Sequence, residues 1–239
     1  MKCPHCQSEK IVKNGTNGVG TQKFRCNNCF KQFVKNPKWS PISQDKKDLI
    51  DNLLLEKISL AGIRRVLKIS KTWLQKYVNN KYKDVPQKIT LSDNITLDLN
   101  IVIECDELWS FVGKKKEKQW LWLALDRNTR QIIGVYIGDR SAASAQNLFN
   151  SIPTIYSLSA HFYTDYWAAY NSAIPAQQHT ASKKSGKTNH IERFNNTLRQ
   201  RVSRLVRDTL SFSKKIENHI GSIWYFIHHY NTQISMSFL

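Results

Sequence analysis

Acidic residues in this chain stand where ionised groups are costly. Glu104, Asp106 and Glu107 close the apolar run Ile101-Val102-Ile103-Glu104-Cys105-Asp106-Glu107-Leu108-Trp109, which reads as the end of a strand. Asp165 ends a second short strand, His161-Phe162-Tyr163-Thr164-Asp165, and Glu192 opens a helix beginning at Asn189. Carboxylates beside a buried sheet are expensive unless a cation compensates them. Two strand-borne acids and one helix-borne acid are the hard oxygen donors that two Mg²⁺ or Mn²⁺ ions need for in-line attack on a phosphodiester. Trp167, beside Asp165, reads as core or as a platform on which a frayed base could stack. No phosphate-cradling glycine loop, dinucleotide fingerprint or serine nucleophile motif competes for the chemistry.

A second constellation is built from sulfur. Cys3-Pro4-His5-Cys6 and Cys26-Asn27-Asn28-Cys29 form two C-x-x-C knuckles separated by 19 residues, the spacing of a four-thiolate zinc site. One structural zinc there would supply the folding energy that so short a segment cannot gain from apolar burial. A pair of disulfides is the rival arrangement. His5 reads as a bystander, and Cys105, alone in an apolar strand, as inert core. The ribbon either touches DNA or braces a neighbouring protein surface. Lys23, Arg25, Lys31 and Lys35, interleaved with Phe24, Phe30 and Phe33, are the residues that would meet phosphates.

The elements that must position these groups fall into three regions: a ribbon over residues 1–35, a helical stretch over 43–82 and a mixed sheet with helices over 97–239. A proline-bracketed connector, Asn36 to Pro41, separates the first two, and a polar linker around Lys83 to Asn94 follows. In the helical stretch Ile63, Leu67, Ile69, Leu74 and Tyr77 have helix-turn-helix spacing, with Ser70 as N-cap of the second helix. That helix would present Lys71, Thr72, Trp73, Gln75 and Lys76 to base edges. Arg64 and Lys68 stand where a small residue and a glycine are usual, so a plain helical hairpin is the alternative.

Strand patterns over Leu99–Cys105, Trp120–Asp126 and Gln131–Gly138 precede a helix at Ser141–Ser151, the strand ending at Asp165 and another near Thr180. Helices over Asn189–Arg207 and Phe212–Tyr230 close the chain. Three consecutive strands followed by alternating helices and strands predict a multidomain α+β or α/β protein with a mixed sheet flanked by helices. In the first closing helix Ile191, Phe194, Leu198, Val202 and Leu205 make the sheet-facing stripe. Glu192, Asn196, Arg199 and Ser203 line a neighbouring face, and Arg193, Thr197, Arg201 and Arg204 the outward one.

Charge names the partner class. The net charge is +18, and residues 1–90 carry 19 Lys and Arg against 6 Asp and Glu, whereas residues 91–239 carry 17 against 12. A front this basic attracts nucleic acid, and the rest retains the carboxylates its chemistry needs. With no secretion signal and no apolar run long enough to span a bilayer, the chain reads as cytoplasmic, without a membrane partner.

The chain resembles transposases of the insertion sequence one family. The likeness rests on the two cysteine knuckles, on Asp106-Glu107-Leu108-Trp109-x-x-Val112-Gly113, on Thr164-Asp165-x-Trp167-x-x-Tyr170 and on Ile191-Glu192-Arg193-x-Asn195-x-x-Leu198-Arg199-x-Arg201, continuing through Arg204 to Lys214. The resemblance implies a ribonuclease-H-like catalytic domain in which Asp106, Asp165 and Glu192 hold the divalent ions and Arg199 lies near the scissile DNA. It also implies nicking at terminal inverted repeats, with the freed 3′-hydroxyl attacking target DNA, and an assembly of at least two subunits to bring two ends together.

Overall fold

The computed structural model describes residues 1–37, 41–89, 101–182, 186–205 and 213–237. It divides into two compact units, Met1–Lys47 and Asp48–Leu239. The first holds a three-stranded antiparallel sheet, β1 (Ile11–Thr16), β2 (Gln22–Cys26) and β3 (Gln32–Val34), with β2 central. Each cysteine knuckle ends in a left-handed residue, Gln7 at φ 59° and Phe30 at φ 61°. Their amides reach back to the Cys3 and Cys26 carbonyls, both at 2.9 Å, so the two knuckles are the same turn used twice.

Helix α1 (Gln44–Leu53) leads into the second unit and is followed by α2 (Leu60–Leu67) and α3 (Lys71–Asp84). Ser59 caps α2 by accepting from the Gly62 amide at 3.1 Å, and Ser70 caps α3 by accepting from that of Trp73. Between the two helices Lys68 adopts φ 52° and donates its amide to the Arg64 carbonyl. A lysine thus occupies the left-handed position that glycine fills at least cost. Ile63, Ile69, Leu74 and Val78 are buried between the helices.

The five-stranded sheet has the order β6-β5-β4-β7-β8. Strands β4 (Val102–Phe111), β5 (Lys118–Asp126) and β6 (Ile132–Gly138) form an antiparallel meander, and β7 (His161–Thr164) and β8 (His179–Ala181) run parallel to β4. Helices α4 (Ala142–Ser151) and α5 (Thr154–Ser159) connect β6 to β7, and α6 (Ala169–Ala173) connects β7 to β8. Then come α7 (Asn189–Arg201), a 3₁₀ turn at Ser203–Leu205, and α8 (Ile216–Ser237). Among the described residues no helix is long and apolar enough to cross a membrane.

Strand parity sorts the core into two layers. Leu108, Leu121, Leu123 and Leu125 pack beneath Ile191, Phe194 and Leu198 of α7 and Ile223 and Ile227 of α8. Ile103, Cys105, Trp122 and Ala124 pack on the other face against Ala145, Leu148 and Tyr170. Cys105 is buried, as the sequence predicts, and burial raises its thiol pKa.

Several boundaries differ from the sequence reading. The central strand runs on through the acids to Phe111 instead of ending at Cys105, and residues 97–100 lie outside the described residues. Helix α7 stops at Arg201, not Arg207, and α8 starts at Ile216, not Phe212, ending at Ser237. Residues 90–94 of the expected linker and residues 206–212 also lie outside what is described.

Residues 48–82 and the five-stranded sheet share one compact unit. Leu55, just after α1, belongs to the core layer under α7 and α8. Arg201 donates to the Leu55 carbonyl at 3.2 Å and pairs with Glu56, while the Lys57 amide donates to the Arg201 carbonyl at 2.7 Å. Helix α3 lies on α8 where Gly221 meets Tyr82: a Cβ on Gly221 would stand 2.5 Å from both Cβ and the carbonyl oxygen of Tyr82.

Candidate active site

The acids are brought together by strand register. Glu104 pairs with Tyr163 across the parallel β4–β7 ladder, and continuing that register two residues sets Asp106 beside Asp165. Asp106, Glu107 and Asp165 place carboxylate oxygens within 4.8 Å of one another. Asp165 starts a tight turn, accepting the Trp167 amide at 2.9 Å. Burial and the neighbouring charge of Glu107 push the Asp106 carboxyl up to about 7. That is the response of an acid that lacks a countercharge.

Even-numbered β4 residues face α7 and α8. Asp106 accepts from Asn195 Nδ2 at 2.7 Å, and Asn195 Oδ1 is buried with no hydrogen-bond partner among the described residues. Glu104, fully buried, accepts the His190 and Ile191 amides at 2.8 and 3.0 Å and Arg127 Nε at 2.8 Å. Thr188, the residue before α7, supplies no side-chain cap, so a carboxylate from the sheet does. It meets the positive end of the helix that carries Asn195. Further along the same strand face, Ser110 meets buried His219 of α8 at 3.0 Å. Burial first, then the charge of Arg204, lowers that imidazole to about 4.

Glu107 points to the opposite face, where its oxygens are engaged. Arg140 Nε and Nη2 lie 2.9 and 2.6 Å from Oε1, and the Tyr170 hydroxyl donates to Oε2 at 2.9 Å. The Arg140 guanidinium in turn sits 3.8 Å from the Trp167 ring centroid and 4.5 Å from that of Trp120. Sequence reasoning misses Arg140 and the capping role of Glu104, and gives Asn195 a place in a motif but no role; a lone arginine after an aspartate carries no local signal. Of the two readings of Trp167, core and platform for a base, the structure supports the first: the ring is partly buried against the core layer of Trp122 and Tyr170, and Arg140 stacks on it.

Glu192 is not among the three clustered acids. Its side chain is exposed on the first turn of α7, and its Oε1 accepts from Thr188 Oγ1 at 2.7 Å. Arg199 lies near the Trp109 carbonyl, with both terminal nitrogens at 3.4 Å. Arg193 is exposed, Asn196 is exposed, and Arg204 is half-buried. On α3, Lys71, Thr72, Gln75 and Lys76 are exposed along one hollow, while Trp73 stacks on Tyr77 with centroids 5.1 Å apart.

In the ribbon all four sulfurs converge, with Cys3 to Cys29 at 3.7 Å and Cys6 to Cys26 at 3.6 Å. A tetrahedron with metal–sulfur bonds of about 2.3 Å has sulfur–sulfur edges of about 3.8 Å, so the four thiols fit zinc. The Cys29 and Asn28 amides lower the Cys26 thiol pKa, while burial and the neighbouring sulfurs raise that of Cys29, so a cation is what would hold all four as thiolates. Arg25 lies over the exposed Phe30 ring at 5.4 Å, and Lys23 pairs with Val34 in the ribbon sheet.

Comparison with known proteins finds matches to both parts of the chain. The family model described as IS1 transposase matches residues 100–233, and the one described as the InsA N-terminal domain, a zinc ribbon, matches residues 1–30. The insertion element IS1 4 protein InsB of Escherichia coli (strain K12) is 33% identical over 142 residues, 59% of this chain and 83% of that protein. The insertion element IS1 protein InsB of Shigella flexneri is 35% identical over 127 residues, 53% of this chain and 94% of that protein. Among solved structures, the Mos1 transposase paired-end complex with left transposon end aligns at a TM-score of 0.31 and 11% identity, covering 85% of this chain and 81% of that one. With a matching model across the acid-bearing sheet and α7, and another across the four cysteines, the chain belongs to the IS1 transposase family.

Proposed function

We propose that this chain is a DNA transposase that cuts and rejoins strands at the Asp106–Asp165 site, and that its sheet domain is ribonuclease-H-like. The observation that carries the reading is the crowding of three carboxylates where β4 passes the end of β7, with Asp106, on the α7 side, short of a countercharge and Asn195 Oδ1 buried and unpartnered beside it. An orphaned amide oxygen and hard carboxylates form the donor set that Mg²⁺ or Mn²⁺ prefers. Asp106 and Asp165 would hold two such ions. Glu192, one turn before Asn195 on the same side of α7, completes the set once its side chain leaves Thr188. Bound there, the ions supply charge neutralisation at the attacking and leaving oxygens of a phosphodiester.

The protein's own groups do the rest. Glu107, neutralised by Arg140 and fixed by Tyr170, holds the end of the site rigid. Asn195 orients Asp106, and Glu104 anchors the helix that brings Asn195, Glu192 and Arg199 over the sheet. In this reading Arg199 meets the scissile strand, and Arg193, Arg201 and Arg204 extend the basic face, Arg201 doing so while tied to Glu56. The substrates are the element's terminal repeats and a target duplex, read by α3 through Lys71, Thr72, Gln75 and Lys76 with Trp73 packed behind. Zinc held by Cys3, Cys6, Cys26 and Cys29 keeps the ribbon folded, with Lys23 and Arg25 as its phosphate contacts. Two ends must meet, so the working form is at least a dimer, which sedimentation with and without end DNA tests.

Asp165→Ala is expected to leave end binding intact and abolish Mg²⁺-dependent nicking. Nicking at the wild-type rate removes Asp165 from the site; wild-type binding with no nicking under any divalent ion makes the chain a DNA-binding regulator.

A further inference from the structure

The face of α3 does not end in open solvent. Beside it lies a cleft of about 560 Å³ whose far wall belongs to the sheet domain. Ser59, at the capped start of α2, and Gln75 and Asn79 of α3 form one side, and Arg204, Lys214 and Lys215 the other. Gln75 also borders two further hollows, of about 490 and 280 Å³, along which Arg64, Lys71 and Lys76 supply the charge. The three hollows adjoin through Gln75, each is lined by cations, and no Asp or Glu lines any of them. Among the described residues Arg204, Lys214 and Lys215 form no ion pair, whereas Lys81, Arg127, Arg140 and Arg201 all do.

Position ties these hollows to the chemistry. Ser213, the residue before Lys214, bridges Val112, and its carbonyl accepts the Gly113 amide at 2.8 Å. Lys214 and Lys215 therefore stand just past the far end of β4, next to the bridge at Val112, which is six residues from Asp106, or about 20 Å at the usual strand rise. Arg204 follows α7, the helix that holds Asn195 over Asp106.

We infer that these hollows form a clamp for the sugar-phosphate backbone of the duplex whose bases α3 reads, with Arg204, Lys214 and Lys215 gripping phosphates from the sheet-domain side. The inference rests on the transposase reading and adds to it a second wall of the DNA site. A small anion would need only one of the hollows; three adjoining cation-lined hollows without carboxylates match a polyanion. Phosphate contacts of this kind fix register and orientation without reading sequence.

The test uses the full chain, a duplex of the element's terminal sequence and the slope of log Kobs against log salt. Each phosphate neutralised contributes about 0.9 to that slope. Lys214→Ala/Lys215→Ala is expected to flatten it by about 0.9 for every phosphate the pair no longer grips, and Lys214→Arg/Lys215→Arg to retain it. Both lysines are exposed, so folding is not at stake. An unchanged slope overturns the clamp, as does an equal flattening by Lys114→Ala/Lys116→Ala at the β4–β5 hairpin, which would make the effect one of net charge alone. Failure of the unaltered chain to bind DNA at all removes the transposase reading together with the clamp. Loss of nicking in Asp165→Ala with the slope intact leaves both standing.

Discussion

Asp106→Asn should make the metal-free protein more stable while removing its chemistry. Asparagine keeps the shape of the side chain and an oxygen for Asn195 Nδ2, and discards only the ionisable group. In the folded chain the Asp106 carboxyl is pushed from 3.8 to about 7, chiefly by burial and then by Glu107. At about 1.4 kcal/mol per pKa unit, ionising it in place costs at most about 4 kcal/mol. The side chain is partly open to solvent, whose screening brings the figure to roughly 2–4 kcal/mol. Because the folded value lies above the unfolded one, the folded chain keeps a proton that the unfolded chain releases. This contribution is complete below about pH 4 and lost as pH rises through about 7. Chemical denaturation in chelator should therefore find Asp106→Asn roughly 2–4 kcal/mol more stable than wild type at pH 8 and equal to it near pH 4. Saturating magnesium should close most or all of that gap, since a ligand at a hundred times its Kd adds about 2.7 kcal/mol and only the wild type would gain it. Equal stability at pH 8, or the same gain at both pH values, refutes the claim that Asp106 is an acid held short of a countercharge.

Two further outcomes follow from the packing and the ribbon. Gly221→Ala drives a methyl into the Tyr82 backbone, which cannot rotate away; the cost of such overpacking is typically about 1–3 kcal/mol, and each kcal/mol lowers Tm by about 2–4 °C in a chain of this size. An unchanged melting temperature would mean that α3 and α8 are not in contact. Cys26→Ser should release zinc, measured with a colorimetric chelator, and melt the three-stranded sheet of the ribbon while leaving the cooperative unfolding of the other unit unchanged. Full zinc retention would discount the four-sulfur site.

What the sequence reveals and what it hides divide along physical lines. The cysteine knuckles are legible because metal spacing is local. The buried stripe of α7 and the turn after it is legible because Ile191, Phe194, Leu198, Val202 and Leu205 repeat at helical period, and all five are buried although Val202 and Leu205 lie past the helix end. The strand bearing the acids reads too short because a buried carboxylate looks like a strand end. What offsets its burial is supplied from far away: Arg127 is 23 residues from Glu104, and the two α7 amides are 86 and 87. Arg201 falls on the outward face because it points away from the sheet, but outward from the sheet is inward to the connector between α1 and α2. Asn195 and Asn196 are adjacent in the chain, and only packing sets Asn195 against Asp106. Glu107 and Arg140 meet across 33 residues, a pairing no periodicity predicts.

The seam at Gly221 and Tyr82 has a consequence for the nucleic acid as much as for the protein. If the helices that choose an address are fused to the body that cuts, the protein is a ruler and not a pair of calipers. The interval between the bases recognised and the bond broken is then set by the fold. Inserting one base pair into that interval turns the bond away by about a tenth of a helical turn and moves it about 3.4 Å along the axis. The duplex would have to twist to make up the difference.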